Sequence, residues 1–156
     1  MLAEKIIKTK GPIDILINNA GISDPVAALD EDLSEFRRVL QVDLVSCFYL
    51  SQLCARIMKE QDNGGAIVNV ASIHGFVGSS PNNQPGYSAA KGGLVNLTRE
   101  LALEWARYNI RVNAIAPLKR PRATVFFSTA ISFLKLSSCA RKLLFSRPIS
   151  LSSCWC

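Results

Sequence analysis

Three short apolar runs rich in β-branched residues recur along the first 117 residues, and stretches of helical periodicity separate them. The runs are Ile13 to Ile17 (IDILI), Ala66 to Ser72 (AIVNVAS) and Ile110 to Pro117 (IRVNAIAP). A nearly continuous apolar run of this length suits a strand buried on both faces, the situation in a parallel sheet. Between the first two runs, from about Leu33 to Glu60, apolar residues recur at helical spacing through Leu40, Leu44, Phe48, Leu50, Cys54, Ile57 and Met58. Asp30 or Ser34 is placed to cap that helix, and Asp62-Asn63-Gly64-Gly65 to end it. Between the second and third runs, Ala90, Leu94, Leu97, Leu101 and Trp105 mark a helix that contains Tyr87 and reaches about Arg107. Parallel strands need long crossovers, usually helical, so the alternation predicts an α/β fold on a parallel sheet. Residues 2–10 read as one more helix, stopped by Gly11-Pro12.

In such sheets ligands sit outside the carboxyl ends of the strands. Asn18-Asn19-Ala20-Gly21 follows the first strand, Ser72 ends the second and Pro117 closes the third, so these residues should share one edge. The first turn of the Tyr87 helix belongs there too. Tyr87 and Lys91 are about one turn apart on it, which makes their side chains neighbours on one face. A free phenol, with a pKa of about 10, is a poor base near neutrality. A cation held beside a phenol favours its ionised form, and such a pair can exchange a proton with an alcohol or carbonyl. Taken alone, a short Y-x-x-x-K pattern is more often a solvated helix face. His74 is the only histidine and reads as a loop or substrate-rim residue, with no set of metal partners around it.

Charge divides the chain in two. Residues 1–117 hold all 12 acidic residues and a net charge of −1, while residues 118–156 hold seven Lys and Arg, no acid and no glycine. The overall charge of +6 therefore belongs to the end of the chain, and the body offers no electrostatic case for binding nucleic acid. The five cysteines are too scattered for a disulfide framework, and buried free thiols in a reducing compartment are the expectation. No apolar run is long enough to span a membrane, and MLAEKIIKTKGPID lacks the apolar core of a secretory signal, so a cytoplasmic location is expected. Residues 1–117 are read as one domain. Residues 118–156 are read as a basic, Ser- and Cys-rich, poorly ordered tail.

Four motifs, IDILINNAG, GAIVNVAS, YSAAKGG and NIRVNAIAP, occur in an order and spacing that resembles the short-chain dehydrogenase/reductase family in its classical branch. They cover residues 11–117, and their joint occurrence is far more specific than any one of them. The resemblance implies a partial Rossmann-type parallel sheet with flanking helices, lacking the N-terminal β-α-β half. It implies hydride transfer between NAD or NADP and a small alcohol or carbonyl substrate. By the family's motifs, Tyr87 is the general acid/base and Ser72 holds the substrate oxygen. Lys91 contacts the nicotinamide ribose and tunes the phenol. Asn18, Ala20 and Gly21 line the adenosine side of the cofactor, and Pro117 approaches the nicotinamide. The helices at about 33–60 and 87–107 form subunit interfaces in the family, which implies a possible homo-oligomer.

The sequence departs from the family pattern in four places. Asp43 stands where the family has an Asn that holds a water of the proton relay, and a carboxylate accepts hydrogen bonds without donating them. No glycine precedes Gly11, so the Gly-rich turn that binds the pyrophosphate is not seen. Leu118-Lys119-Arg120-Pro121 follows Pro117 where the family continues with Gly, and 118–156 reads as an alternative exon, a retained intron or a gene-prediction error. Ser72 and Tyr87 are spaced slightly wider than the family's norm. The expectation is an oxidoreductase impaired as a fragment. The alternative is a non-catalytic truncated isoform, or an artefact, that at most pairs with full-length relatives.

Overall fold

The computed structural model describes residues 11–117. The helix expected at 2–10 and the tail at 118–156 lie outside the described residues. Within them, β1 (Ile15–Asn18), α1 (Leu33–Leu40) and α2 (Ser46–Glu60) are followed by β2 (Gly65–Val70), α3 (Pro85–Trp105) and β3 (Ile110–Ile115). A single-turn π segment, Gln41–Val45, joins α1 to α2 without a break. Short 3-10 turns occupy Ile73–Gly75 and Ala106–Tyr108.

The three strands form a parallel sheet in the order β1-β2-β3. Leu16 lies beside Ile67 and Ile67 beside Val112, while Asn18, Asn69 and Ala114 form the row nearest the carboxyl ends. Strand order that advances in one direction, with right-handed crossovers, places both crossover helices on one face. The packing agrees. Cys54, Ala55 and Met58 of α2 and Leu101, Ala102 and Trp105 of α3 form one core cluster with Ile67, Ile110 and Val112. The opposite face is different. Ile15 is 64% exposed and Ile17 62%. The expectation of strands buried on both faces is therefore corrected for β1, which among the described residues is an edge strand covered on one side only.

Two further expectations are corrected. The cap of α1 is Asp32, neither Asp30 nor Ser34, and its carboxylate accepts from the Ser34 backbone N–H at 2.6 Å. The helix starts at Leu33, so the residue just before it holds the capping geometry. The long helix buries Cys54 and Met58 as its apolar spacing suggests, but its first half buries a different stripe. Phe48 and Leu50 are exposed, while Val39, Asp43, Cys47, Ser51, Cys54, Ala55 and Met58 are buried. From Val39 to Ser51 the buried positions repeat every fourth residue. A pure α-helix would rotate such a row off the core, and the wider π turn brings it back. Two members of the row are polar, so hydropathy does not reveal it.

A buried polar chain ties the strand ends to the helices. Asn18 donates from Nδ2 to Asn69 Oδ1 at 2.8 Å and to Ser51 Oγ at 2.9 Å. Asn69 donates to Thr98 Oγ1 at 2.9 Å, and Thr98 donates to the Leu94 carbonyl. These bonds fix α2 and α3 against the sheet just beneath the strand tips.

Candidate active site at the carboxyl edge of the sheet

Lys91 is the centre of the site. It sits in the second turn of α3, and its side chain is 3% exposed. A buried ammonium needs partners. One N–H is donated to the Val70 carbonyl at 3.0 Å, at the tip of β2. The Nζ lies 3.2 Å from Oδ2 of Asp43, which is fully buried in the π turn. That contact is an ion pair, and Oδ2 has no hydrogen-bond partner among the described residues. The other oxygen, Oδ1, accepts from the Ile22 backbone N–H at 2.7 Å. Asp43 thus joins the loop after β1 to α3.

Tyr87 is half-buried one turn before Lys91. The Lys91 Nζ lies 5.4 Å from the centre of its ring, within cation–π range. The His74 ring meets the same phenol edge to face, with centroids 6.1 Å apart and planes at 87°. His74 Nδ1 is buried with no hydrogen-bond partner among the described residues. Ser72 is buried, and its Oγ accepts from the His74 backbone N–H at 3.2 Å. The next residue, Ile73, donates its backbone N–H to the Pro117 carbonyl at 3.3 Å, which ties the tip of β3 to the serine turn.

Two glycines allow this closeness. A Cβ on Gly21 would stand 2.8 Å from Asp43 Oδ2 and 3.2 Å from Lys91 Nζ, so only a bare backbone passes there. A Cβ on Gly75 would stand 2.8 Å from the Lys91 carbonyl, so the serine turn lies directly on the first half of α3.

Of the residues singled out from sequence, the structure brings Ser72, Tyr87, Lys91, Asp43, Gly21 and Pro117 to one edge. Ala20 is exposed on the loop beside them. Asn18 is placed differently: its amide nitrogen serves the inner network, and its Oδ1 is buried without a hydrogen-bond partner among the described residues. Sequence reading left three participants out: the Val70 carbonyl, the Ile22 N–H and the contact of His74 with Tyr87. The first two are backbone groups with no side-chain signature. Cys47, one turn after Asp43, is a free thiol whose pKa burial pushes up, against an opposing pull from Lys91. Among the described residues no cluster of His, Cys, Asp and Glu could hold a metal ion, and no helix is long and apolar enough to cross a membrane.

The arrangement can hold an oxygen-bearing ligand between a hydroxyl, a phenol and an ammonium, which is a setting for moving one proton. The family model described as short chain dehydrogenase matches residues 1–119. The chain is 44% identical over 113 residues to 2-dehydro-3-deoxy-D-gluconate 5-dehydrogenase of Formosa agariphila, a match covering 72% of this chain and 42% of the relative. A short-chain type dehydrogenase/reductase from Mycobacterium marinum superposes with a TM-score of 0.72 at 36% identity, covering 73% of this chain and 45% of that structure. A 4-hydroxyisoleucine dehydrogenase complexed with NADH superposes with a TM-score of 0.68 at 37% identity, covering 74% and 50%. The chain spans less than half the length of the curated relatives it matches.

Proposed function

The chain belongs to the short-chain dehydrogenase family, and from that membership we propose that residues 11–117 carry the proton-transfer side of an NAD(P)-dependent oxidoreductase. The observation that supports this most directly is the buried Lys91 ammonium, held by Val70 and Asp43 beside the ring of Tyr87. In this reading Tyr87 gives its proton to the oxygen of a carbonyl substrate, or takes one from an alcohol. Ser72 donates its hydroxyl to the same oxygen and steadies the charge that develops there. Lys91 keeps a cation beside the phenol, which favours the charged form that proton transfer produces.

The nicotinamide cofactor supplies the hydride when bound. The groups present fit its ribose end: Lys91 has N–H donors beyond the one given to Val70, and the bare Gly21 backbone lets a ligand approach that ammonium. The Ala20–Gly21 loop and Pro117 are its flanking contacts. The described residues include no Gly-rich strand-to-helix turn for a pyrophosphate, and no residue that would choose NAD over NADP. The substrate is proposed to be a small alcohol or its carbonyl. The names of two relatives specify an oxo sugar acid and a hydroxy amino acid, so hydroxy and oxo acids are the class to test first.

Titration of the purified chain with NADH and with NADPH, followed by cofactor fluorescence, tests the reading. Saturable enhancement with either one supports it. No change with both at millimolar concentration overturns it for this chain.

A second reading has its own observation. Phe48, Tyr49 and Leu50 of α2 and Leu103 of α3 are large and exposed. Pairing through these two helices, with another copy or a full-length relative, is the proposed assembly, and co-purification with a longer homologue supports it.

A further inference from the structure

We propose that Asn63 is a site of spontaneous modification: in the folded chain it deamidates through a cyclic imide, and its isoaspartate product loosens the start of β2. The residue lies in the turn between α2 and β2, at the opposite end of the strands from Tyr87 and Lys91. The inference is independent of the function proposed above.

The features of that turn converge on one reaction. Asn63 is the one asparagine in the sequence that a glycine follows. Glycine has no side chain to hinder approach to its backbone nitrogen. The fold itself demands glycine here, since Gly64 has a φ of 69° and a Cβ on it would collide with the Asn109 carbonyl oxygen. Asn63 is exposed, and its side-chain amide has no hydrogen-bond partner among the described residues. Gly64 is buried, and its backbone N–H also has no partner among them. A buried N–H without an acceptor costs free energy. The imide nitrogen carries no hydrogen, so cyclisation removes that unmet donor.

The Gly64 nitrogen bonds to Asn63 Cγ while the Cγ–Nδ2 bond breaks. The Gly64 proton leaves with the departing nitrogen as ammonia. Water then opens the imide at either carbonyl carbon. Opening at Cγ restores the main chain and leaves aspartate. Opening at the main-chain carbonyl carbon leaves isoaspartate, whose main chain runs through Cβ and Cγ and is one methylene longer. Asn63 and one water become an acid and ammonia, with no oxidant or reductant.

Isoaspartate strikes where the turn docks on Asn109. The Gly65 N–H donates to the Asn109 carbonyl at 3.2 Å, and Gly65 pairs with Ile110 at the start of β2 and β3. Asn109 Nδ2 donates in return to the Asn63 carbonyl at 3.5 Å. That carbonyl becomes the free carboxylate of isoaspartate, and the added methylene pulls the two contacts out of register.

The test incubates the full chain in mildly alkaline buffer and maps its peptides by mass spectrometry. Isoaspartate is detected by enzymatic methylation of its carboxylate, and incubation in urea gives the unfolded comparison. In native buffer Asn63 is expected to show the mass change of amide-to-acid conversion before any other asparagine. Isoaspartate appears there, and Asn63→Gln removes both signals. The isoaspartyl chain, separated by chromatography, is expected to have a lower urea midpoint than Asn63→Asp, which carries the same charge on an unaltered main chain. No conversion at Asn63 in native buffer overturns the proposal, whether or not urea permits it. Earlier conversion at the exposed Asn19 or Asn82 also overturns it, as does an isoaspartyl chain as stable as Asn63→Asp. None of these measurements uses a nicotinamide cofactor, so a negative cofactor titration leaves them standing.

Discussion

Replacing Lys91 by Met keeps most of the side-chain length and removes the ammonium. Asp43 then remains buried with, among the described residues, the Ile22 N–H as the one donor to its carboxylate. Breaking one side of a buried pair costs about 3–5 kcal/mol, because the surviving charge is left uncompensated. Lys91→Met is therefore expected to lose stability on that scale, measured as a fall in the urea midpoint. Asp43→Asn leaves the buried Lys91 ammonium uncompensated in turn, with the Val70 carbonyl as its acceptor, and should also lose stability, although its amide oxygen can still accept from Ile22. The Tyr87–Lys91 half of this constellation was legible from a four-residue spacing, since helical geometry fixes which side chains meet. The Asp43–Lys91 half was not, because it depends on the π turn that aims Asp43 and on the sheet that sets the helices' separation. Asp43 was legible only as a departure from a family pattern.

Helix α1 begins on Asp32, whose carboxyl is held below its ordinary value chiefly by its hydrogen bond to Ser34. A carboxyl with a depressed folded-state pKa contributes stability that is present above its unfolded value. That contribution is lost as pH falls through the folded value. Asp32→Ala should thus be less stable than the parent near neutrality, and the gap should close in acid below the carboxylate range. Urea denaturation at the two pH values checks both signs. The cap also marks where sequence reading stops at the level of elements. All three strands and both long helical stretches were legible, because short, nearly continuous β-branched apolar runs differ from long stretches of 3.6-residue periodicity. Element ends were not: Asp30, Asp32 and Ser34 all have capping chemistry, and the choice depends on which residue first takes helical dihedrals. The interior of the long helix misled for a physical reason. Its π turn places polar Asp43 and Ser51 on the buried row and turns apolar Phe48 and Leu50 outward.

At the scale of the molecule, the described residues form a two-layer unit, one sheet with its helices on a single side. Such a layer is stable only where each apolar face finds cover. On the uncovered side Ile15 and Ile17 project from an edge strand, beside Ala66 and Val68 of β2. An exposed apolar edge of this kind binds apolar dyes and invites association. Ile15→Thr with Ile17→Thr removes that surface while keeping β-branched residues suited to a strand. Because both side chains are largely exposed, each change should move stability by no more than about 0.5 kcal/mol. The expected outcome is a marked loss of apolar-dye fluorescence with an almost unchanged unfolding midpoint. Unchanged dye binding with a large drop in the midpoint would mean that the face is covered in solution. The double variant therefore separates a bare face from a packed one in a single pair of measurements.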